Sequence, residues 1–407
     1  MSMDNKVPEI RFKGFGGEWD KEILGELVKL ENGFAFQSKY FKKTPTEVIV
    51  LTPGSVNIGG GFQAGKGQYY DEKQEVSSKY VFKPGDMFIT MTDLTPTAQA
   101  LGFPAIIPKD ESKYLHNQRL GKLVGFNGDL AFLYSLLCTM KKQKEVVSTS
   151  SGTTVKHTSP DKFLNRICLF PNKEEQTQIG NYFQKLDTLI NQHQQKHDKL
   201  SSIKKAMLGK MFPKPGETIP EIRFKGFSGE WNEIELGEEV TFINGRAYSQ
   251  EELQDKGKYT VLRVGNFYTN SSWYYSDMEL GDKYYADYGD LLYTWSASFG
   301  PHIWSGDKVI YHYHIWKLEL SENIEKLFLL HLLDYDRAKI LSGSNGSTMI
   351  HITKSAMEAK KIFIPKKDEQ IIIGNYFQKF DALINQHQQQ ITKLNNIKQA
   401  CLSKMFV

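Results

Sequence analysis

Long apolar runs, regularly spaced cysteines and a strong charge of either sign are all missing from this sequence. No apolar run approaches the roughly 18–20 residues that span a bilayer, and the opening residues, MSMDNKVPEIRF, contain no apolar signal-peptide region. The three cysteines, Cys138, Cys168 and Cys401, are scattered and lack metal-ligand spacing, which indicates a reducing compartment. We therefore expect a cytoplasmic protein that is not attached to a membrane.

Motifs for catalysis are also missing. The segment from Gly60 to Lys66 has the glycine spacing of a phosphate-binding loop, but Gly67 stands where that loop needs Ser or Thr. A glycine-rich hairpin or binding loop is the better interpretation of this segment. The sequence contains no Asn-Pro-Pro-Tyr or Asp-Pro-Pro-Tyr for adenine methylation, no paired-carboxylate nuclease motif and no helicase signature. These absences favour a binding subunit over an enzyme and predict no catalytic residues.

The histidines and the charge balance are equally unspecific. His312 and His314 lie two apart in a predicted strand and would face the same side, with His302 as a third candidate ligand. A metal site needs further ligands, so we expect no metal ion. The formal net charge of +4 is compatible with a local basic face but does not establish nucleic-acid binding.

What the chain does have is length and aromatic side chains. Its 407 residues exceed one compact core and predict two to four domains. Aromatic residues make up 13% of the chain, with 20 Tyr and 25 Phe. Such a composition suits either a binding surface or β-rich cores.

An internal repeat organises the sequence. The block PEIRFKGF at 8–15 recurs letter for letter at 220–227, an offset of 212, whereas GNYFQK at 180–185 recurs at 374–379, an offset of 194. The first copy therefore carries 212 − 194 = 18 extra residues between these blocks. Weaker matches assign most of the excess to 55–84 and 91–131, which we predict to be loops.

The two copies share their frames but match only sparsely in their interiors. This pattern indicates two domains with one scaffold and different loops, as expected if each domain contacts a different ligand. Drift after duplication is the alternative explanation.

Two long helices are predicted at 174–211 and 368–405, where Pro is absent and apolar residues follow 3/4 spacing. This spacing is typical of a coiled-coil seam, and we expect the two helices to pair antiparallel around a pseudo-two-fold axis. His193 and His387 occupy corresponding seam positions, either as register-setting polar residues or as ordinary core residues. The predicted pairing residues are Ile179, Phe183, Leu186 and Ile190 in the first helix and Ile373, Phe377, Phe380 and Ile384 in the second.

The segments 20–170 and 232–363 alternate short apolar runs with turn residues. Predicted strands are 48–51, 87–90, 259–262 and 291–294, and helical stretches follow near 129–147 and 323–341. The fold class is α+β, with two mixed domains separated by two long helices that pair as an antiparallel coiled coil. The boundaries are 1–170 for the first domain, 171–213 for the first helix, 214–363 for the linker and second domain, and 364–407 for the second helix.

Polar and aromatic side chains of the divergent interiors and of the loops 148–157 and 342–351 are the candidates for nucleic-acid contact. Hydroxyl, Lys and His side chains can reach phosphates, and Arg, Asn and Gln can make bidentate contacts to base edges. A surface or structural role is the alternative for each of them. In the first copy the candidates are Asn57, Gln63, Thr92, Gln99, Asn117, Arg119, Thr153, Lys156 and His157. In the second copy they are Arg246, Arg263, Asn266, Tyr268, Ser296, Ser298, Tyr313, Ser347 and His351.

The order of the repeated motifs resembles the specificity subunit of type I restriction–modification systems. Asn-Gly lies near each domain start (Asn32-Gly33 and Asn244-Gly245), and Pro84-Gly85-Asp86 precedes a strand. Each long helix is led by a Pro-x-x-x-Glu-Gln motif, beginning at Pro171 and at Pro365. The resemblance covers essentially the whole chain.

This resemblance implies that each domain is a target recognition domain for one half of a split, asymmetric double-stranded DNA sequence. The helices would set the half-site spacing and dock two methylation subunits and two restriction/translocase subunits. S-adenosylmethionine, ATP and magnesium would belong to those partners, so this chain would need no cofactor. The alternatives are a stand-alone DNA-modifying enzyme and a coiled-coil scaffold that binds only proteins.

Overall fold

The computed structural model describes residues 6–95, 97–268, 270–296, 298–343 and 352–407, which fall into two compact units. Unit 1 takes in the chain up to His193 together with Gln389–Val407, and unit 2 is Gln194–Gln388. Each unit therefore combines one α+β domain with part of both long helices. In the described ranges, no helix has the length and apolarity needed to cross a membrane.

The domain of unit 1 contains two principal sheets. Its strands are β1 (Asp20–Ile23), β2 (Lys29–Asn32), β3 (Val48–Val50), β4 (Gln68–Tyr69), β5 (Met87–Thr90), β6 (Thr92–Asp93), β7 (Pro104–Ile106), β8 (Lys113–Leu115), β9 (Leu120–Val124), β10 (Lys156–His157) and β11 (Ile167–Phe170). Its helices are α1 (Leu24–Leu27), α2 (Leu130–Leu137), α3 (Met140–Ser148) and α4 (Pro160–Leu164), with 3₁₀ turns at Ser38–Tyr40, Pro53–Ser55 and Ser78–Tyr80. The sheet orders are β2-β9-β5-β7 and β4-β3-β8, and β1 pairs with β11 and β6 with β10.

The domain of unit 2 repeats this plan, after the first long helix, α5 (Lys173–Met211). Its strands are β12 (Asn232–Glu235), β13 (Val240–Asn244), β14 (Tyr259–Leu262), β15 (Tyr274–Ser276), β16 (Tyr285–Ala286), β17 (Leu291–Thr294), β18 (Gly300–Ile303), β19 (Val309–Tyr311), β20 (Ile315–Leu320) and β21 (Lys361–Ile364). Its helices are α6 (Leu236–Glu239), α7 (Lys326–Gly343) and α8 (Lys354–Glu358), and α9 (Lys367–Lys404) is the second long helix. Turns of 3₁₀ type lie at Gln250–Glu252, Val264–Phe267 and Asp282–Tyr284. The sheet orders are β13-β20-β17-β18 and β15-β14-β19-β16, and β12 pairs with β21.

The mixed α+β class and the predicted strands are confirmed, and a Gly-Asp turn shows why two of these strands begin where they do. Gly85 has a φ of 88°, and Asp86 accepts a hydrogen bond from the Lys83 amide at 2.7 Å before the fully buried β5. Gly289 has a φ of 90°, and Asp290 accepts from the Asp287 amide at 2.9 Å before β17. A side-chain-free residue is favoured at each of these left-handed positions.

Of two expectations about loops and strands, one holds in part and the other was wrong. The segment 91–131, predicted as loop, consists mostly of turns and loops but also contains the short strands β6, β7, β8 and β9. His312 and His314 do not share one strand face, because the chain turns at 313–314 between β19 and β20. The turn ends the alternation of side chains on which the expectation of one shared face for the two histidines depended.

Both long helices are confirmed to within one residue of their predicted ends. Inside unit 1, Asp187 of α5 bonds Lys398 of α9 at 2.5 Å, and Tyr182 lies 3.4 Å from the Cys401 sulfur. Residue numbers fall along α9 as they rise along α5, so the two segments run antiparallel.

Inside unit 2, the same ion pair forms with the helices exchanged. Lys204 of α5 donates to Asp381 of α9 at 2.5 Å. The repeat offset of 194 relates Asp187 to Asp381 and Lys204 to Lys398 (187 + 194 = 381; 204 + 194 = 398). Each unit thus contains the equivalent contact, in which the partly buried Lys is about 15% exposed (14% for Lys204 and 15% for Lys398).

The apolar seam residues pack into the domain cores as well as between the helices. Ile179, Phe183 and Leu186 are buried in the unit 1 core beside Leu402 and Phe406. In unit 2, Ile373 and Phe377 are buried beside Leu208, Met211 and Phe212. Ile190, Phe380 and Ile384 are half-buried. Each long helix therefore has an apolar face that contacts both the other long helix and a domain core. A broad apolar face of this kind is typical of a helix in a globular protein.

The sequence Lys-Met-Phe, which occurs at 210–212 and again at 404–406, anchors the end of each long helix. In unit 1 the Phe406 ring lies 5.4 Å from Phe132 and 5.7 Å from Phe183, and the Ile10 amide donates to Lys404 O at 3.0 Å. These contacts bring the start of the first domain beside the end of α9.

Unit 2 contains the same arrangement as one continuous stretch of chain. The Phe212 ring lies 5.6 Å from Phe328, and the Ile222 amide donates to Lys210 O at 2.9 Å. The linker 212–220 therefore occupies the place that in unit 1 is taken by two separate segments of the chain.

A bidentate ion pair joins each domain start to the first turn of its long helix. Arg11 donates to both oxygens of Glu175, at 2.6 and 2.7 Å, and to Gly17 O at 2.6 Å. Arg223 donates to both oxygens of Glu369, at 2.6 and 2.6 Å. The Glu side chains are 0% and 1% exposed. Planar, parallel hydrogen bonds of this kind add geometric specificity to charge attraction.

The side chain of the Gln that follows each of these Glu residues also forms hydrogen bonds with the backbone of neighbouring segments. Gln176 donates to Pro171 O at 2.8 Å and accepts from the Asp129 amide at 3.2 Å. Gln370 donates to Pro365 O at 2.9 Å and accepts from the Glu325 amide at 2.9 Å. The Pro-x-x-x-Glu-Gln motif therefore ties the helix start to the neighbouring chain.

Replacing the buried carboxylate tests this joint. Glu175→Gln removes one charged acceptor from a buried guanidinium, so we expect the free energy of unfolding to fall by about 2–4 kcal/mol. Glu369→Gln should have a similar effect. Urea unfolding followed by tryptophan fluorescence measures the change.

The neighbouring Glu174 is exposed on the same first turn and supplies the matched control. Glu174→Gln should cost only a few tenths of a kcal/mol, through the helix dipole. Equal losses for Glu174→Gln and Glu175→Gln would contradict a specific role for the buried pair.

Candidate nucleic-acid interface

A three-residue turn follows the same backbone path in both domains. In unit 1 it is Asn117–Arg119 and joins β8 to β9, and in unit 2 it is 312–314 and joins β19 to β20. The Phe34 amide donates to His116 O at 2.8 Å, and the Gln118 amide donates to Phe34 O at 3.1 Å. We call these segments the first turn and the second turn.

The second turn is held by equivalent backbone bonds. The Arg246 amide donates to Tyr311 O at 3.1 Å, and the Tyr313 amide donates to Arg246 O at 3.0 Å. The Ile315 amide closes the second turn on His312 O at 2.9 Å, just as the Leu120 amide closes the first on Asn117 O at 3.0 Å. Asn117 therefore corresponds to His312, an offset of 195 (312 − 117).

The repeated Asn-Gly motif explains how the chain reaches these turns. A Cβ on Gly33 would lie 2.2 Å from Asn117 O, and a Cβ on Gly245 would lie 2.4 Å from His312 O. These distances are far below van der Waals contact, so only glycine allows the strand end to approach each turn. The spatial reason for the motif is close approach of backbone rather than an unusual φ.

The first residue of each turn is used to hold the turn itself. The Asn117 side-chain oxygen accepts from the Arg119 amide at 2.9 Å, and His312 Nδ1 accepts from the His314 amide at 3.4 Å. Burial, helped by His314 and Arg263, lowers the pKa of His312 to about 4, so its ring is neutral at pH 7. A neutral ring leaves Nδ1 free to accept.

The remaining residues of each turn face outward to different degrees. Gln118 and Arg119 are exposed, Tyr313 is 38% exposed, and His314 is half-buried with its ring 4.8 Å from Trp295. The two turns therefore present Gln-Arg in one domain and Tyr-His in the other on the same backbone.

A short ladder extends the first turn into an edge with hydroxyl and basic groups. The Met91 amide donates to Arg119 O at 2.9 Å, and the Thr158 amide donates to Met91 O at 3.0 Å. Next along this ladder, Thr92 pairs with His157 and Asp93 with Lys156. The fold thus brings together Thr92, Asn117, Arg119, Lys156 and His157, all of which were sequence candidates.

Two further candidates lie on loops attached to this edge. Buried Asp93 accepts from the Thr95 and Ala100 amides, each at 2.7 Å, and so shapes the loop that exposes Gln99. Thr153 is exposed in the turn after Gly152, whose φ is 95° and where a Cβ would lie 2.0 Å from Val155 O.

Unit 2 contains the start of a corresponding ladder. The Trp295 amide donates to His314 O at 3.1 Å, and the Ile352 amide approaches Trp295 O at 3.5 Å. Ser296, almost buried at 9% exposure, and exposed Ser298 follow Trp295 near Tyr313. Ser347 and His351 lie outside the described residues.

The remaining unit 1 candidates, Asn57 and Gln63, lie on the separate loop 52–67. Asn57 donates weakly to Phe62 O at 3.4 Å, and the Gln63 amide donates to Ser55 O at 2.8 Å. Asn57 is exposed and Gln63 is half-buried.

Several unit 2 candidates already have partners within the protein. Arg246 bonds Glu252 at 2.6 Å, which raises the pKa of its guanidinium, and Arg263 lies 4.1 Å above the Tyr274 ring. Asn266 donates to Ser272 O at 2.9 Å. These contacts show a structural role, and DNA contact by these side chains stays a prediction.

Tyr268 occupies an intermediate position. It is 38% exposed, and its hydroxyl lies 3.2 Å from Thr294 Oγ1 and 3.2 Å from His302 Nε2. Burial, with Arg337 nearby, lowers the pKa of His302 to about 4, so this ring is also neutral at pH 7. In the described ranges, no group of three or more His, Cys, Asp or Glu lies close enough to hold a metal ion.

Sequence reasoning did not select Gln118 and His314. Only the backbone bonds show that Gln118 corresponds to Tyr313 and Arg119 to His314. The two turns have no letters in common, so comparison of the copies at the sequence level had nothing to match there.

Two stretches of the chain, residues 16–202 and 228–396, match the type I restriction modification DNA specificity domain. The chain belongs to the type I restriction–modification DNA specificity family. Its two matched stretches each contain one of the domains described above, so it has two target recognition domains.

Curated relatives agree with this membership. The chain is 24% identical over 407 residues to the putative type I restriction enzyme MjaX specificity subunit of Methanocaldococcus jannaschii, covering 96% of this chain and 93% of that protein. It is 27% identical over 182 residues to the MjaVIII specificity subunit of the same organism. That second match spans 44% of this chain and 42% of the relative.

Solved structures are similar in fold. The type I restriction–modification S subunit from M. genitalium has a TM-score of 0.63 at 15% identity, covering 98% of this chain and 99% of that one. A chain from a structural study of complex assembly in a type I system has a TM-score of 0.52 at 17% identity, covering 95% and 97%. At these identities the likeness shows the family's fold.

The close approach at the Asn-Gly motif generates a prediction. Gly33→Ala should displace the first turn and Gly245→Ala the second, each lowering the free energy of unfolding by about 1–3 kcal/mol, the usual range for overpacking. Thermal unfolding of the purified chain measures the effect.

Gly16 and Gly281 supply controls, since a Cβ at either would meet no atom within 4 Å. Gly16→Ala and Gly281→Ala should leave stability almost unchanged. If Gly33→Ala and Gly16→Ala unfold at the same temperature, the close-approach explanation is wrong.

Proposed function

We propose that this chain selects the DNA sequence for a type I restriction–modification complex by contacting a bipartite, asymmetric target, one half-site for each domain. The observation that carries the proposal is the pair of equivalent turns and ladders with different outward side chains. One scaffold with two unlike surfaces suits a target whose halves differ. Base edges supply sequence discrimination in such an interface.

Phosphate contacts supply the affinity in this proposal. Thr92, Thr153, Lys156 and His157 offer hydroxyl, ammonium and imidazole groups at or beside the first turn. Such groups donate to phosphate oxygens and fix the position of a protein on DNA without reading its sequence. Binding should accordingly weaken as salt concentration rises.

The long helices have two roles in the proposal, setting the half-site spacing and docking two methylation subunits and two restriction/translocase subunits. Ile371, Ile372 and Leu383 on α9 are 40%, 40% and 44% exposed, which supports protein contact on this helix. One of the structural neighbours comes from work on complex assembly of a type I system, which is consistent with docking by this fold.

The chain itself is non-catalytic and cytoplasmic in this proposal, and S-adenosylmethionine, ATP and magnesium belong to the partner subunits. Two sequence features support this division: the adenine-methylation tetrapeptide is missing, and Gly67 interrupts the phosphate-loop pattern.

Exchange of one domain tests the modular function. The chain is produced with its methylation subunits, and residues 232–363 are replaced by the equivalent domain of another family member. Because each domain has its own core and its own turn, only one half of the methylated sequence should change. Genome-wide mapping of methylated adenine measures this.

A change in both halves, or in neither, would contradict one half-site per domain. Adenine methylation by the purified chain alone would instead identify an enzyme. Assembly with the partners but without any sequence preference would identify a scaffold.

Helix length tests the spacing role. Seven residues inserted after His193 in α5 and seven inserted after Gln388 in α9 leave the contacts inside each unit intact. The pair is then longer by about 10 Å at 1.5 Å per residue. The spacer of the methylated site should grow by about three base pairs, since ten base pairs span about 34 Å.

Insertion in α5 alone is the control, because it lengthens one helix of an antiparallel pair and should abolish modification. An unchanged spacer after the double insertion, with full modification, would refute the spacing role.

A further inference from the structure

The first turn and the second turn combine a constant backbone with variable side chains to an unusual degree. Ordinary variable loops change conformation as well as composition. Here the turn, the close approach of the glycine and the first two backbone hydrogen bonds of the ladder beside it are equivalent in both units. These hydrogen bonds fix the second and third residues of each turn at an equivalent backbone position, although their side chains differ.

A rigid position is what base reading requires. Hydrogen bonds to base edges discriminate only when donor and acceptor are held in place, and preorganisation reduces the entropy lost on binding. The side chains of Asn117 and His312 accept hydrogen bonds from the backbone of their own turns. The second and third residues of each turn are therefore the ones that face outward.

We propose that the second and third residues of each turn are base-reading residues: Gln118 and Arg119 for one half-site, Tyr313 and His314 for the other. This proposal rests on the proposed function and names the side chains that carry it out. Neither Gln118 nor His314 was recognisable from the sequence.

The side chains of each turn determine which base edges it can bind. The Gln118 amide matches the major-groove edge of adenine, and the Arg119 guanidinium matches the two acceptors of guanine. The Tyr313 hydroxyl and the His314 ring donate or accept single hydrogen bonds and offer apolar faces to a thymine methyl group. The two half-sites therefore differ in the groups available to read them.

The location of the turns supports the same assignment. The first turn bonds directly to the ladder that holds Thr92, Lys156 and His157, which are suited to phosphates. Phosphate-binding groups beside base-reading groups are the usual arrangement of a protein–DNA interface.

The test exchanges the outward residues and leaves the turn backbone alone. One variant carries Gln118→Tyr with Arg119→His, and the reciprocal variant carries Tyr313→Gln with His314→Arg. Each is assembled with the methylation subunits, and its methylated sequence is mapped. The first variant should change bases in one half-site and the second variant bases in the other, with the spacer unchanged.

Lys109 and Glu111 supply the control, because they are exposed on the loop at the opposite end of β8 from the first turn. Lys109→His with Glu111→Tyr should leave the methylated sequence unchanged. Thermal unfolding of each variant checks that the domains remain folded.

A single conservative change gives a second measurement. Arg119→Lys keeps the charge but loses the planar fork, so discrimination at one base pair should fall on the order of 10–100-fold while phosphate-based affinity persists. Binding of the assembled complex to DNA duplexes that differ at each position of the half-site measures this ratio.

The outcomes separate this proposal from the function on which it rests. Folded turn variants that keep the original sequence, in a complex whose specificity does move on domain exchange, would overturn the turn proposal alone. A wild-type complex without any sequence-selective methylation would overturn both. A shift of the predicted half-site with each variant supports the turn proposal.

Discussion

The bidentate pair between Arg11 and Glu175, repeated as Arg223 and Glu369, is the contact on which the rest of the architecture depends. It joins each domain start to the first turn of a long helix. The Glu side chain is buried and the Arg side chain largely so, and a guanidinium left without its carboxylate there would lower stability. Because the helix start is fixed, its apolar stripe meets the domain core in a defined register. Phe212 and Phe406, which follow the last turns of the long helices, then complete those cores.

The first and second turns likewise combine a fixed backbone with side chains that differ between the domains. Gly33 and Gly245 bring backbone against backbone, and the bonds around each turn use main-chain groups almost throughout. Main-chain bonds place little restriction on side-chain identity, so outward residues are free to diverge without loss of the fold. This property suits a chain whose two domains share one scaffold and present different outward residues.

The sequence predicted much of the fold because the signals were local or repeated. Helical periodicity lies within a few turns of one helix, and the limits of α5 and α9 were correct to one residue. The candidate site was predictable in part: Thr92, Lys156, His157 and Arg119 do share one edge, yet nothing in their spacing required it. Arg246 and Arg263, chosen for their chemistry, turned out to bond Glu252 and stack on Tyr274.

By itself the sequence determined that there are two equivalent domains, two long helices and no recognisable catalytic motif, since repeats, apolar periods and motifs are properties of neighbouring residues. Only the tertiary structure decided which residues correspond across the two turns. Insertions in the first copy change the repeat offset from 212 at the domain start to 195 at the turns. Residues 117–119 and 312–314 then match at none of their three positions. Equivalence there lies in hydrogen bonds between strands far apart in the chain, and such bonds leave no trace in side-chain identity.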